Sequence, residues 1–284
     1  MDIFDYIEKY GDISFEEKGF NEIDNLVFCS ISYLNFTDTS VNMNEHTLEY
    51  LGRQYLKLYN FKEIKRLGVP QKKGYQILEI IYKKKRYKDI ILHNYIYSAN
   101  INKQFSAMMF KINDNLEYMC FEGTDELISG WKEDFELSYR YPVPSQRDAI
   151  KYANKYIKIR GSDVIIGGHS KGGNLALIAA MYTKQLKQFR IKKVYSNDGP
   201  GLRTKEFNSG EYRRIKRKYV HFVPDYSIVG ILLRNDVMNI IKSSKSNFMS
   251  HAIYTWVIDD DHLVRTTQSS KTKKLQENLL SWLK

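Results

Sequence analysis

Asp163 to Ala180 read DVIIGGHSKGGNLALIAA, and this stretch decides the fold. Val164, Ile165 and Ile166 form a short β-branched run closed by glycines, the composition of a buried parallel strand. After the glycines, Leu175, Leu177, Ile178, Ala179 and Met181 give a helix its apolar face, with Gly173 and Ala176 small enough to pack near a sheet. Between strand and helix, Ser170 sits at the centre of Gly168-His169-Ser170-Lys171-Gly172. A bare Gly-x-Ser-x-Gly arises by chance in roughly one chain in ten of this length, so the flanking elements carry the inference. They predict a strand, a tight turn and a helix with the serine at the apex. Bulkier residues than Gly168 and Gly172 would block the approach of strand and helix. Ser170 is the candidate nucleophile; the plainer reading is a glycine-rich turn whose serine caps the helix.

A serine hydroxyl needs a base, an orienting acid and donors for the oxyanion. Upstream, Tyr118-Met119-Cys120-Phe121 reads as a strand entering Glu122-Gly123-Thr124-Asp125. The segment FEGTDELISGWKEDF resembles the Phe-Arg-Gly-Thr/Ser stretch, followed by Trp and Asp, of class 3 triacylglycerol lipases, and GHSKGGNLA resembles their Gly-His-Ser-Leu-Gly-Gly-Ala-Leu-Ala. FNEIDNLVFCSISYLNF, NDGPGL, VPDYSIVGILL and HAIYTW extend the likeness, over nearly the whole chain, to a bacterial family of lipase-like hydrolases. The resemblance implies an α/β-hydrolase-like fold, a mostly parallel central sheet with helices on both faces. It also implies an oxyanion site made by Thr124, through hydroxyl and backbone N–H, and by the N–H of Lys171. Glu122 stands where those lipases usually carry arginine. Such a fold does not by itself prove hydrolysis.

In α/β-hydrolases the acid and then the histidine follow the nucleophile along the chain. His221, His251 and His262 therefore qualify, while His46, His93 and His169 do not. His169, beside the nucleophile, is expected to point away from the site. His221 lies inside Tyr219–Val223, a strand, and reads as a packed histidine. His251 follows a polar stretch and precedes Ile253–Val257, read as a strand, from which a loop can reach the elbow; it also matches the family's histidine before an aromatic strand. His262 is the alternative base. For the acid, Asp225, after Val223-Pro224 at a strand end, comes first and Asp198, in Asn197-Asp198-Gly199-Pro200-Gly201, second. Aligning Ser227-Ile228-Val229-Gly230 with the Asp-Ile-Val-Pro of class 3 lipases would put Ser227 at the acid position and Asp225 two residues early.

The chain has 284 residues, 43% hydrophobic and 27% charged, a balance that excludes a disordered protein and suits one α/β domain over residues 1–284. A hairpin, Phe105–Ile112 with Leu116–Phe121, precedes alternating helices (Arg147–Ile159, then the elbow helix, then Lys205–Lys218) and strands (Lys193–Asn197, Tyr219–Val223). Leucines at 275, 279, 280 and 283 predict a C-terminal helix. Residues 46–100, with HTLEYLGRQYLKLYN and YQILEIIYKKKRYKDIILHNYIY, read as helices that either cover the sheet or cap the site. No apolar run reaches the roughly 20 residues of a membrane span, and MDIFDYIEKYGD is acidic where a signal peptide is basic, so a cytoplasmic protein is expected. Cys29 and Cys120, in strand-like runs, read as buried free thiols. Asp259-Asp260-Asp261-His262 reads as a solvated turn rather than a metal site, and the chemistry calls for no cofactor or metal.

The formal charge of +11 concentrates in Lys83–Lys88 and Arg213–Lys218. Such runs are solvated faces or hold an anionic membrane surface. No zinc-finger, RNP-like or helix-turn-helix signature accompanies them, so nucleic acid is not an expected partner. Together the residues predict a lipase- or esterase-like serine hydrolase of carboxylic esters, acting through an acyl-enzyme on Ser170. The alternative is an inactive hydrolase-fold binding protein at anionic membrane surfaces.

Overall fold

A computed structural model describes residues 1–37, 45–59, 64, 66–100, 103–124 and 140–282. Eight strands form one sheet in their sequence order: β1 (His46–Thr47), β2 (Ile91–Asn100), β3 (Lys103–Asn113), β4 (Leu116–Phe121), β5 (Asp163–His169), β6 (Ile191–Asn197), β7 (Tyr219–Pro224) and β8 (Met238–Ile241). Pairing is antiparallel from β1 to β4 and parallel from β4 to β8. Parallel strands that advance in one direction, joined by right-handed crossovers, carry all their crossover helices on one face. That face holds α5 (Pro144–Tyr156), α6 (Lys171–Tyr182) and the short α7 (Thr204–Phe207) and α8 (Gly210–Ile215).

The other face is covered by the N-terminal helices α1 (Ile3–Tyr10), α2 (Glu22–Ile31), α3 (Leu48–Leu58) and α4 (Val69–Ile81). Strand alternation divides the side chains accordingly. Phe105, Ala107 and Met109 of β3, with Met119 and Phe121 of β4, pack under α5 and α6. Met108, Phe110, Tyr118 and Cys120 pack under α1 to α4. Helices on both faces of a mostly parallel sheet are the expected architecture. Within residues 46–100, Leu51, Tyr55, Ile77, Leu78 and Ile81 are buried in that N-terminal core.

Four local expectations are corrected. The stretch 75–97 is not all helix: α4 ends at Ile81 and Ile91–Asn100 is β2, whose Ile, Tyr and Leu content suits a pleated surface. Helix 205–218 is broken at Asn208 and Ser209, where the Ser209 side chain caps α8. Cys29 lies on α2, not a strand, because Asn21 and Asp24 start a helix there through a reciprocal capping box. Residues 253–257 are not a strand either; 3₁₀ turns span Phe248–His251 and Ile253–Thr255. The C-terminal helix spans Ser270–Trp282 (α9).

The basic run Lys83–Lys88 is not a uniform surface. Lys84 pairs with Glu8 and Asp12, and Lys85 with Glu17. Arg86 is fully buried, its guanidinium forked onto Asp24 at 2.6 and 2.8 Å, its remaining donors taken by the carbonyls of Ile13, Ser14, Lys18 and Gly19. Tyr87 donates to the same carboxylate at 2.8 Å. Removing one member strands the other charge in the core. Arg86→Met should therefore cost about 3–5 kcal/mol in urea denaturation, while Lys85→Met, which breaks an exposed pair, should cost under about 1 kcal/mol.

Candidate active site

Ser170 joins β5 to α6 at φ 56° and ψ −130°, a backbone region that costs a non-glycine residue free energy and recurs at functional turns. It stands at the N-cap position, yet its side chain makes no cap hydrogen bond, so helix capping does not account for it. A Cβ at Gly168 would overlap the backbone of Gly172, and one at Gly172 would overlap Phe121 O. Strand, helix and the end of β4 therefore meet in backbone contact around the half-buried serine. The Ser170 N–H is held by Asn197 O at 2.9 Å.

Asn197 ends β6, and the next residue, Asp198, has φ 51° and is fully buried. Its Oδ2 accepts from His251 Nδ1 at 2.7 Å and its Oδ1 from Ser227 Oγ at 2.7 Å. Ser227 Oγ in turn accepts from Gly230 N at 2.9 Å. A Cβ at Gly230 would occupy the place of Asp198 Oδ1. The 227–230 turn is thus shaped around this carboxylate. His251 lies at the end of a 3₁₀ turn pinned by buried Trp256, whose indole donates to Ser250 O at 2.8 Å. A carboxylate can only accept, so Nδ1 of His251 carries the hydrogen of this bond. No hydrogen bond joins Ser170 Oγ to His251 among the described residues.

Sequence reasoning expected His169 to point away, and here the structure differs. Its ring lies 4.5 Å, centroid to centroid, from that of His251. Its Nε2 donates to His251 O at 2.8 Å and its Nδ1 accepts from Tyr33 OH at 2.8 Å. Burial holds this imidazole neutral, well below its ordinary pKa. The residue before the nucleophile therefore fixes the backbone of the histidine.

Among the described residues Asp225 has no hydrogen bond to a histidine. It follows the last residue of β7, where its Oδ1 accepts from Tyr226 N and its carbonyl from Ser269 N and Thr272 Oγ1, a turn role that ties the strand to α9. The carboxylate beside His251 comes from β6 instead. His262 lies in the small hairpin of β9 (Ile258–Asp259) and β10 (His262–Leu263), 56% exposed beside Asp261; Asp260 and Asp261 pair with Lys9 and Lys18. Lys171 opens α6 with its N–H beside the serine, while its side chain is buried and donates to Gln104 O at 3.1 Å. Thr124 is half-buried after Gly123, which packs against His169 O. Asp125 and the Trp131–Phe135 motif lie outside the described residues.

The supporting amides escaped sequence reasoning. Asn25 of α2 and Asn197 of β6 exchange two hydrogen bonds, at 3.0 and 3.1 Å, beneath the elbow. Asn174 of α6 donates to Pro200 O and Gly201 O, holding the loop that follows Asp198. An isolated asparagine carries no local signal for such long-range pairs.

A mostly parallel sheet with a strained serine between strand and helix defines an α/β-hydrolase-like protein. Residues 81–284 match the model of the Mbeg1-like family, and the chain belongs to that family. No functionally curated protein matches the sequence. Among solved structures, a fungal lipase–inhibitor complex described as a model for interfacial activation is similar over 56% of this chain and 68% of its own, with 16% identity and a TM-score of 0.41. M37 lipase is similar over 90% of this chain and 79% of its own, with 15% identity and a TM-score of 0.43.

His221, a packed strand histidine as expected, is fully buried. Desolvation pushes its pKa down to about 4, against the opposing pull of the Asp198 charge. In the unfolded chain it titrates near 6.5, so the unfolded state binds the extra proton between those values. Stability present above about pH 6.5 should fall as pH drops towards 4, by up to about 3 kcal/mol from this residue. Denaturation curves between pH 7 and 4.5 should be less steeply pH-dependent for His221→Leu than for the wild type.

Proposed function

We propose that this protein is a serine hydrolase of carboxylic esters, of lipase or esterase type, working through an acyl-enzyme on Ser170. The observation that carries it is the buried Asp198 carboxylate bonded to His251 at 2.7 Å, one residue beyond the strand end that holds the Ser170 N–H. His251 Nε2 takes the proton of Ser170 Oγ as that oxygen attacks the acyl carbonyl, and Asp198 stabilises the imidazolium. The oxyanion accepts from the N–H of Lys171 and from Thr124. As the tetrahedral adduct collapses, the imidazolium protonates the leaving alcohol. Water, deprotonated by His251, then releases the acid and restores the serine.

Asp198 is the better acid than Asp225 on physical grounds. It already bonds the Nδ1 that must be oriented, and Ser227 and the space at Gly230 fix its second oxygen. Intact-mass measurement after treatment with a fluorophosphonate should give one adduct, absent in Ser170→Ala. Labelling should slow by on the order of 10³–10⁴-fold in Asp198→Asn and remain near wild type in Asp225→Asn. A folded wild type that takes no label would favour the binding-protein reading; loss of labelling in Asp225→Asn would return the acid to that residue.

A further inference from the structure

The end of the sheet opposite Ser170 carries a surface of another kind. Residues 157–162, which lead into β5, and the 3₁₀ helix Gln185–Arg190, which leads into β6, meet there. Arg190 Nε donates to Ile159 O at 3.0 Å, and the Lys184 N–H to Asn154 Oδ1, in the last turn of α5, at 2.8 Å. Lys218, just before β7, donates to Gln188 O at 2.7 Å. Three large apolar side chains stand in water at this corner: Leu186 is 76%, Phe189 52% and Ile159 47% exposed. Cations surround them, from Lys158, Arg160, Lys184, Lys187, Arg190 and Lys192. From 151 to 197 the sequence holds a single acid, Asp163, which Arg190 and Lys192 share; the adjoining β3–β4 turn adds Asp114, paired with Lys111. Burial and the like charges of Lys158 and Lys184 depress the pKa of Lys187, in keeping with how closely the ammonium groups gather.

We propose that this corner docks onto an anionic phospholipid bilayer, with Leu186, Phe189 and Ile159 inserted among the headgroups and the surrounding cations on their phosphates. Single exposed apolar side chains are ordinary, but a group of them rimmed by polar residues marks a binding surface. Helix ends attract cations, and Lys158 and Lys187 do bond carbonyls in the last turn of α5. That role gives no reason for Leu186 and Phe189 to lie beside them in water. A nucleic acid would pair the cations and leave the leucine and phenylalanine without gain, whereas a bilayer offers an anionic plane with an apolar layer beneath it. β5 has seven residues, a rise of about 20 Å, so a protein seated here holds Ser170 at the end turned away from the lipid. The surface therefore tethers the protein without delivering lipid to the serine, and it stands independently of the hydrolase reading.

The test is cosedimentation of the full chain with vesicles of phosphatidylcholine alone and of phosphatidylcholine mixed with phosphatidylglycerol. The wild type should bind only the mixed vesicles, and its binding should weaken steeply between ~0.1 M and ~1 M salt. Arg160→Gln with Lys184→Gln, which removes two exposed cations, should lower the partition coefficient roughly 25-fold. Leu186→Ser with Phe189→Ser should lower it at least about tenfold. Lys83→Gln with Lys88→Gln makes the same change of net charge in another basic run and should leave binding near the wild-type value, as should Ser170→Ala. Thermal unfolding checks that each variant folds. No binding, equal binding to phosphatidylcholine alone, or an equal loss in the Lys83/Lys88 variant would overturn the inference. So would binding that survives the loss of Leu186 and Phe189, since the overall charge of +11 would then suffice. Duplex DNA bound more tightly than the mixed vesicles, and released by Arg160→Gln with Lys184→Gln, would reassign the cations to nucleic acid.

Discussion

A parallel sheet whose strands advance in one direction leaves one of its faces without crossover helices, and the rest of this molecule answers that constraint. The N-terminal helices supply the missing layer, burying Leu26, Phe28, Leu51 and Ile77 in one core with Met108 and Phe110 of β3 and Tyr118 and Cys120 of β4. The layer is joined to the sheet by polar groups as well as apolar ones. Asn25 reaches from α2 to Asn197 at the end of β6, so the element that covers the sheet also holds the strand end that bears on Ser170. Arg86 and Asp24 tie the start of α2 to the chain after α4 in a fully desolvated pair, an arrangement in which each charge depends on the other.

The neighbourhood of His251 illustrates how a carboxylate site is built from strained backbone and fitted space. Asp198 takes a left-handed conformation that a non-glycine residue adopts at a cost. Its surroundings compensate: Ser227 donates to one oxygen, His251 to the other, and Gly230 leaves room. Ser227 is also the residue that alignment with the class 3 lipase pattern would put in the acid's place. The two observations agree in space, because the serine at that station touches the carboxylate arriving from the neighbouring strand.

The strand–elbow–helix unit was legible because its signals are local. Glycines at 168 and 172, a β-branched run and an apolar helical face lie within eighteen consecutive residues, and the β3–β4 hairpin was equally local, two apolar runs separated by the turn residues Asn113-Asp114-Asn115. The run from Ile91 was misread as helix since a short apolar stretch fits either period, and only pairing of β2 with β3 decides between them. Asp225 ranked above Asp198 because it follows the second strand after the elbow strand, the usual station of the acid in such folds, and chain position does not tell where a carboxylate points.

By itself the sequence determined the class of fold, the elbow serine and a short list of candidate acids and bases, all of which follow from neighbours a few residues apart. Tertiary structure decided which carboxylate meets His251, that His169 braces it, and that Arg86 belongs to the core and not to a basic surface. Those outcomes depend on contacts between residues separated by 53, 82 and 62 positions. Their geometry is set by how strands and layers pack, and no local pattern of residue types encodes the direction of a side chain across such a distance.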